Sequence, residues 1–351
     1  MKVPKMRFLY AAGLTALLIS AFTIPAISKL ATKDYFPNFP QDQNWIVTGQ
    51  PLTRQDVNGK AALIYLWNFT SPYALRDQAV LSVWREKYSV EDAVMLGIHC
   101  PTFTSEKELE NVRKAVKRLG IKYPIFVDTS LAMWRALGGP SLPAFILVDG
   151  EGMIREKIIA ENWDYPAIER KFINLIAEKH PDLDLAPEKI KEEMFTVRKP
   201  TLFINAGYKK ITRFGNTQKI VAGVTRVYTY PENLERGMFY LSGKWKPQED
   251  YLEAGRLPGG FKILFFGSQF YVLGESSRTE STRLEVLLNG KPLSKNEAGS
   301  DITIKDGKSL FSLQELRPYQ ILNQKKEEAG DAVLEFRLEE PGGRIYQFSA
   351  G

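Results

Sequence analysis

The chain has 351 residues, of which 44% are hydrophobic and 25% charged, enough length and apolar content for two domains with cores of their own. That composition excludes a disordered polymer. The formal net charge of +6 includes Lys2, Lys5 and Arg7; without residues 1–28 the balance is +3, too even to argue for nucleic acid as a partner.

Residues 1–28 join a basic start to the apolar run FLYAAGLTALLISAFTIPAIS. This is the pattern of a cleaved export signal or of an uncleaved anchor, because about twenty apolar residues suffice to span a bilayer. Gly13 and Pro25 weaken a helix, and Ala26-Ile27-Ser28 suits a cleavage site, which favours the signal. Either reading places the rest outside the cytoplasm, most simply in a bacterial periplasm, and limits membrane contact to residues 8–28. The single cysteine, Cys100, excludes an intrachain disulfide, so stability in that oxidising compartment rests on packing.

Lys29 to Lys60, spaced by Pro37, Pro40 and Pro51, reads as a polar lead-in along a domain edge. Ala61 to Phe69 is almost wholly apolar, β-branched or aromatic, as in a strand covered on both faces. Ser71 then caps a helix with Pro72 at its first position, and Leu75, Ala79, Val80, Val83, Trp84 and Tyr88 mark its apolar face. Arg76, Asp77, Arg85 and Glu86 fall mostly on the other side. Ala93 to His99 predicts a second buried strand. Ser105 to Leu119 predicts a helix with Ser105 and Glu108 as a capping box and Gly120 as its stop. Tyr123 to Asp128 predicts a strand, and Ser130 to Leu137 a short helix. Ala144 to Asp149 pairs with Met153 to Ala160 across Gly150-Glu151-Gly152, and Asp164 caps a closing helix through Ile176. The order β-α-β-α-β-α-β-β-α gives a three-layer α/β domain over residues 29–180.

Residues 181–200, rich in proline and charge, read as a linker. Residues 201–351 change to short strands: Gln218 to Val221, Thr225 to Tyr230, Tyr240 to Lys246, Lys262 to Phe266, Gln269 to Gly274, Arg283 to Leu288, Asp301 to Ile304, Leu316 to Ile321, Ala332 to Leu338 and Ile345 to Phe348. Turn signals such as Asn289-Gly290 and Asp306-Gly307 separate them. So many short strands argue for an all-β sandwich of jelly-roll type.

The segments LIYLWNFTSPYAL, GIHCPTF, EKELENVRKAVKRLGIKYP, MWRALGG and LPAFILVDGEGMI resemble the thioredoxin-like extracytoplasmic region of DipZ-type proteins, within the TlpA and redoxin group. YLSGKWKPQEDYLEAG, LEVLLNGKPLS and AVLEFRLEEPGGRIYQFSAG resemble the β-sandwich that follows it there, a domain likened to carbohydrate-binding modules. The resemblance implies a Cys-x-x-Cys turn after the aromatic strand, where this chain has Ser71-Pro72-Tyr73-Ala74, so the family's disulfide exchange does not carry over to these positions. It also implies a cis proline at Pro143 facing that turn, and a histidine at His99.

Several candidate sites follow. Ser71 is either a helix cap only, or its hydroxyl and the helix amides bind a carbonyl, carboxylate or peptide. With Tyr73 and Pro143 it would line a groove for an envelope protein or peptide. Cys100 ends the second strand, where open sheets gather function, and is either a relocated reactive thiol for one-cysteine redoxin chemistry or an inert buried cysteine. His99 is a satisfied structural histidine or a member of the same site. Trp245, Tyr251, Phe265, Phe266, Phe270 and Tyr271 are core aromatics or a sugar-stacking platform, with Tyr251 the best single candidate for a glycan site. With only His99 and His180, no metal site is visible, and no phosphate-cradling glycine loop or other cofactor motif is present.

Overall fold

The computed structural model describes residues 34–40, 44–47, 52–88, 93–159, 163–190, 198 and 200–351; the export signal or anchor expected at residues 1–28 lies outside them. Asp34–Gly351 forms one compact unit. Among the described residues no helix is long and apolar enough to cross a membrane.

In chain order the first half comprises β1 (Trp45–Ile46), α1 (Arg54–Val57), β2 (Ala61–Trp67), α2 (Pro72–Lys87), β3 (Ala93–His99), a 3-10 turn (Thr104–Lys107), α3 (Leu109–Arg118), β4 (Ile125–Val127), α4 (Ala132–Ala136), β5 (Ala144–Val148), β6 (Ile154–Ile159) and α5 (Tyr165–Ala177). The strands form one sheet in the order β1-β4-β3-β2-β5-β6, with β2, β3 and β4 parallel and the others antiparallel to their neighbours. Every residue of the central strand β2 is buried. Leu63, Tyr65 and Trp67 face a core shared with α2 and α5, while Ala62, Ile64 and Leu66 face a second core with Met133, Leu137 and the lead-in residues Phe36, Phe39 and Trp45. Coverage on both faces accounts for the unbroken apolar run. The lead-in therefore does more than skirt the edge, because β1 adds a sixth strand beside β4. This is the thioredoxin-like layer order, and the Leu142-Pro143 bond is cis.

One predicted helix is corrected. Ser105 and Glu108 do not cap a single helix over Ser105–Leu119; the segment divides into the 3-10 turn and α3. Glu106 turns inward instead and accepts the N–H groups of Thr102 at 2.7 Å, Phe103 at 3.0 Å and Thr70 at 3.3 Å. Three backbone donors stabilise a buried carboxylate where an exposed cap would satisfy one.

Of the segment expected to be a linker, the described residues 181–190 are docked rather than loose. Leu185 and Ile190 pack on the first core, Glu188 donates its backbone N–H to Glu169 Oε2 at 2.9 Å, and Lys87 bonds the carbonyl of Ala186.

The second half comprises β7 (Leu202–Asn205), β8 (Arg226–Tyr228), β9 (Met238–Pro247), β10 (Leu252–Gly267), β11 (Gln269–Ser276), β12 (Thr282–Leu288), β13 (Lys291–Pro292), β14 (Ile302–Lys305), β15 (Lys308–Leu313), β16 (Arg317–Asn323), β17 (Gly330–Leu338) and β18 (Gly343–Ala350). All pair antiparallel around one apolar core that includes Trp245, Phe261, Phe270, Leu334, Phe336 and Phe348. β10 makes the corner of the sandwich. Leu252 and Glu253 pair with β18, and after a break between Ala254 and Gly259 residues 260–267 pair with β17. A Cβ at Gly243 would lie 2.2 Å from the Pro258 carbonyl oxygen, so only glycine fits beside that corner. Gln218–Val221, expected as a strand, is not one; its Gln218 side chain bonds Thr229 Oγ1 instead. β7 and β15 were not expected. In β15 two serines interrupt the apolar alternation, although Ser309 is buried with its hydroxyl on the Val286 carbonyl.

Candidate functional site: the turn before α2 and the cleft between the domains

β2 delivers the chain to the mouth of the sheet, and the turn through Thr70 and Ser71 starts α2 there. Ser71 Oγ accepts the Tyr73 N–H at 3.3 Å, the geometry of an N-cap with Pro72 behind it. In front of the turn lies a cleft of about 460 Å³. The first domain contributes Thr70, Ser71, Tyr73 and Thr102 from the strand ends, and Trp134, Ser141 and Leu142 from the opposite rim. The second domain contributes Phe203 and Gln347. No ionisable carboxylate, ammonium or guanidinium is in the lining, so it presents hydroxyls, amides and aromatic faces.

The sandwich is fastened along this edge. Tyr346 sets its ring 5.4 Å from Phe103 and its hydroxyl 3.1 Å from Ser105 Oγ, and donates to Glu275 at 2.6 Å. Asp250 Oδ2 accepts the Thr104 N–H at 2.8 Å, and Arg118 meets Glu315 at 2.6 Å. Leu273, Leu316 and Tyr346 of the sandwich join the first domain's apolar core. Glu106 thus holds from inside the same 102–105 segment that the sandwich grips from outside.

The sequence-expected residues are distributed unevenly over this geometry. Ser71 and Tyr73 border the cleft, with the Tyr73 hydroxyl 3.5 Å from the Pro200 carbonyl and its ring 6.2 Å from Phe203. Pro143 itself is buried, and its predecessor Leu142 takes the place on the rim. His99 has no exposed surface: its ring stacks on Phe69 at 5.4 Å, meets Trp67 edge-on at 5.3 Å and accepts the Phe69 N–H at 3.4 Å. Its Nε2 lies 3.8 Å from Glu106 Oε1, and both are sealed below the cleft floor.

At two candidates the structure shows the bland alternative. Cys100 is 0% exposed among the second core, where its thiol donates to the Ile98 carbonyl at 3.6 Å. Burial chiefly, with Asp128 and Glu106 adding like-charge cost, pushes that thiol well above its ordinary value, the opposite of what a nucleophile needs. Tyr251 is no open sugar platform, because its ring lies 5.0 Å from Tyr346 and 5.0 Å from the Arg344 guanidinium, against the first domain. Of the other aromatic candidates Trp245, Phe265, Phe270 and Tyr271 are buried, and Phe266 is exposed beneath Arg236.

The structure adds a buried group the sequence reading put on the wrong face. Asp77 of α2 is 0% exposed, with Tyr65 donating to Oδ2 and Tyr165 donating to Oδ1 at 2.6 Å. Burial raises its carboxyl to about 7 against the lowering effect of those hydrogen bonds and of Arg76. The signal was present: Asp77 is three residues after Ala74 and four before Leu81, on the buried stripe of the helix. Among the described residues no group of three or more His, Cys, Asp or Glu side chains could hold a metal ion.

Comparison with known proteins fits this architecture. Residues 204–351 match the family described as "Thioredoxin like C-terminal domain". Protein DipZ of Mycobacterium tuberculosis is 25% identical over 262 residues, covering 73% of this chain and 36% of DipZ. The chain resembles the thioredoxin-like region of DipZ proteins. It spans about a third of the DipZ length. The thiol-disulfide oxidoreductase YkuV of Bacillus subtilis is 22% identical over 119 residues, covering 34% of this chain and 79% of YkuV. Among solved structures, a thiol-disulfide isomerase from Corynebacterium glutamicum covers 40% of this chain and 97% of its own at 19% identity, with a TM-score of 0.34. At the two cysteine positions implied by the DipZ likeness this chain carries Ser71 and Ala74.

Proposed function

We propose that this is an exported, redox-inactive member of the thioredoxin-like group, working in the cell envelope as a binding module whose interdomain cleft holds an extended polypeptide segment of a partner. The observation that carries the reading is the pairing of an intact cleft with absent sulfur: Ser71 and Ala74 bracket the turn, and the one thiol lies buried on the far face of the sheet. A neutral lining of hydroxyls, amides and aromatics supports an uncharged, hydrogen-bonding ligand such as a peptide backbone with apolar side chains. The basic, apolar pattern of residues 1–28 supports export. Burial of Cys100 removes support from a one-cysteine mechanism, and the position of Tyr251 removes it from a glycan platform on the sandwich.

Isothermal titration with a reduced, carboxymethylated protein, extended and without free thiols, tests the reading. Binding by the wild type and at least about tenfold weaker binding by Ser71→Arg, which fills the cleft mouth, is the expected result. No binding, or equal binding by the variant, would sink it.

A further inference from the structure

We propose that the outer face of β8 and β9 seats on an anionic lipid surface. Trp245 and Tyr228 point into the sandwich core at 0% and 1% exposure, so the alternating residues Lys244, Lys246 and Val227 point outward. Val227 stands opposite Lys244 in register and is 59% exposed, the most of any large apolar side chain among the described residues. Val224 is 47% exposed, and the adjoining Gly223 N–H bonds the Pro247 carbonyl at 2.8 Å, which sets this turn beside the end of β9. Exposed cations surround the two valines: Lys219, Arg226, Lys244 and Lys246. None of the four makes an ion pair among the described residues.

Glu253, opposite Lys246 in register, is taken by Arg344 at 3.6 Å. Several other sandwich cations are neutralised, as where Arg283 meets Glu339 and Glu340, Lys308 meets Glu339 and Arg236 meets Asp331. A cluster left unpaired around exposed valines has the two components that hold a protein to a charged bilayer, apolar side chains for the interface and cations for the headgroups. A soluble polyanion would use the lysines and leave the valines in water. The inference is independent of what the interdomain cleft binds.

Lysine acylation by a water-soluble reagent, read residue by residue in the full chain by mass spectrometry, tests it. Vesicles of phosphatidylcholine alone are compared with vesicles that also contain phosphatidylglycerol. On the anionic vesicles, labelling of Lys219, Lys244 and Lys246 is expected to fall at least about fivefold, the effect of one cation at such a surface. Lys114 and Lys117 on α3 of the first domain should label as before, and the neutral Val227→Ser should restore labelling at Lys244 and Lys246. Residues 1–28, themselves basic and apolar, are unchanged by the substitution at Val227, so restored labelling separates this face from that segment. No protection, equal protection on α3, or protection unchanged by Val227→Ser would each overturn the proposal, the last because it would mark a surface that reads charge alone.

Discussion

Replacing Asp77 by asparagine should change how stability depends on pH more than it changes stability itself. In the folded protein the carboxyl titrates near 7, about three units above an exposed aspartate. The raised value means the folded state holds this proton more tightly than the unfolded chain. Its contribution is therefore full below about pH 4 and is lost as pH rises through about 7, in total about 4 kcal/mol. Between pH 5 and 8 the loss is about 2 to 3 kcal/mol. Asparagine has nearly the same shape, can accept from one of Tyr65 and Tyr165 and donate to the other, and does not titrate over this range. Urea unfolding of both proteins at a series of pH values isolates the term, since every other group cancels in the difference. Wild type should lose about 2 to 3 kcal/mol relative to Asp77→Asn from pH 5 to pH 8. Parallel curves for the two proteins would refute the assignment of a neutral, buried Asp77 at acid pH.

Two further expectations concern buried groups near the end of β3. Glu106→Gln places an amide N–H against the donors that now converge on the carboxylate, and should cost about 1 to 3 kcal/mol by urea midpoint; a cost below about 0.5 kcal/mol would mean the three bonds matter little. Cys100 should resist iodoacetamide in the native protein at neutral pH and react as soon as the chain unfolds, because its thiol is enclosed and its ionisation suppressed; labelling at the rate of a simple thiol without unfolding would contradict that burial.

What the sequence disclosed and what it concealed follow from range. The buried strands β2 and β5 were plain because coverage on both faces leaves an unbroken apolar run, and the starts of α2 and α5 because Ser71-Pro72 and Asp164 act within a few residues. The side on which Cys100 lies was also readable: Leu96, Ile98 and Cys100 alternate with Met95, Gly97 and His99, so the thiol follows Ile98 into the second core. Position at a strand end kept a reactive thiol open as an alternative, and the alternation favours the buried one. Glu106 was hidden for another reason. A capping box at Ser105 and Glu108 satisfies the local rule, yet the 3-10 turn wins because Thr70, thirty-six residues earlier, supplies one of the donors. The cleft itself needs both domains. Phe203 and Gln347 come from strands at opposite ends of the sandwich sequence, and Tyr251 reads as an open aromatic until Tyr346 and the first domain are placed beside it.

Catalysed reduction of insulin disulfides by dithiothreitol, followed as turbidity with a Cys-x-x-Cys thioredoxin as positive control, reports most directly on a thioredoxin-like domain without sulfur at its turn. The protein should leave the uncatalysed rate unchanged at any concentration. Turnover that rises with protein concentration and survives removal of trace thioredoxins would contradict the account.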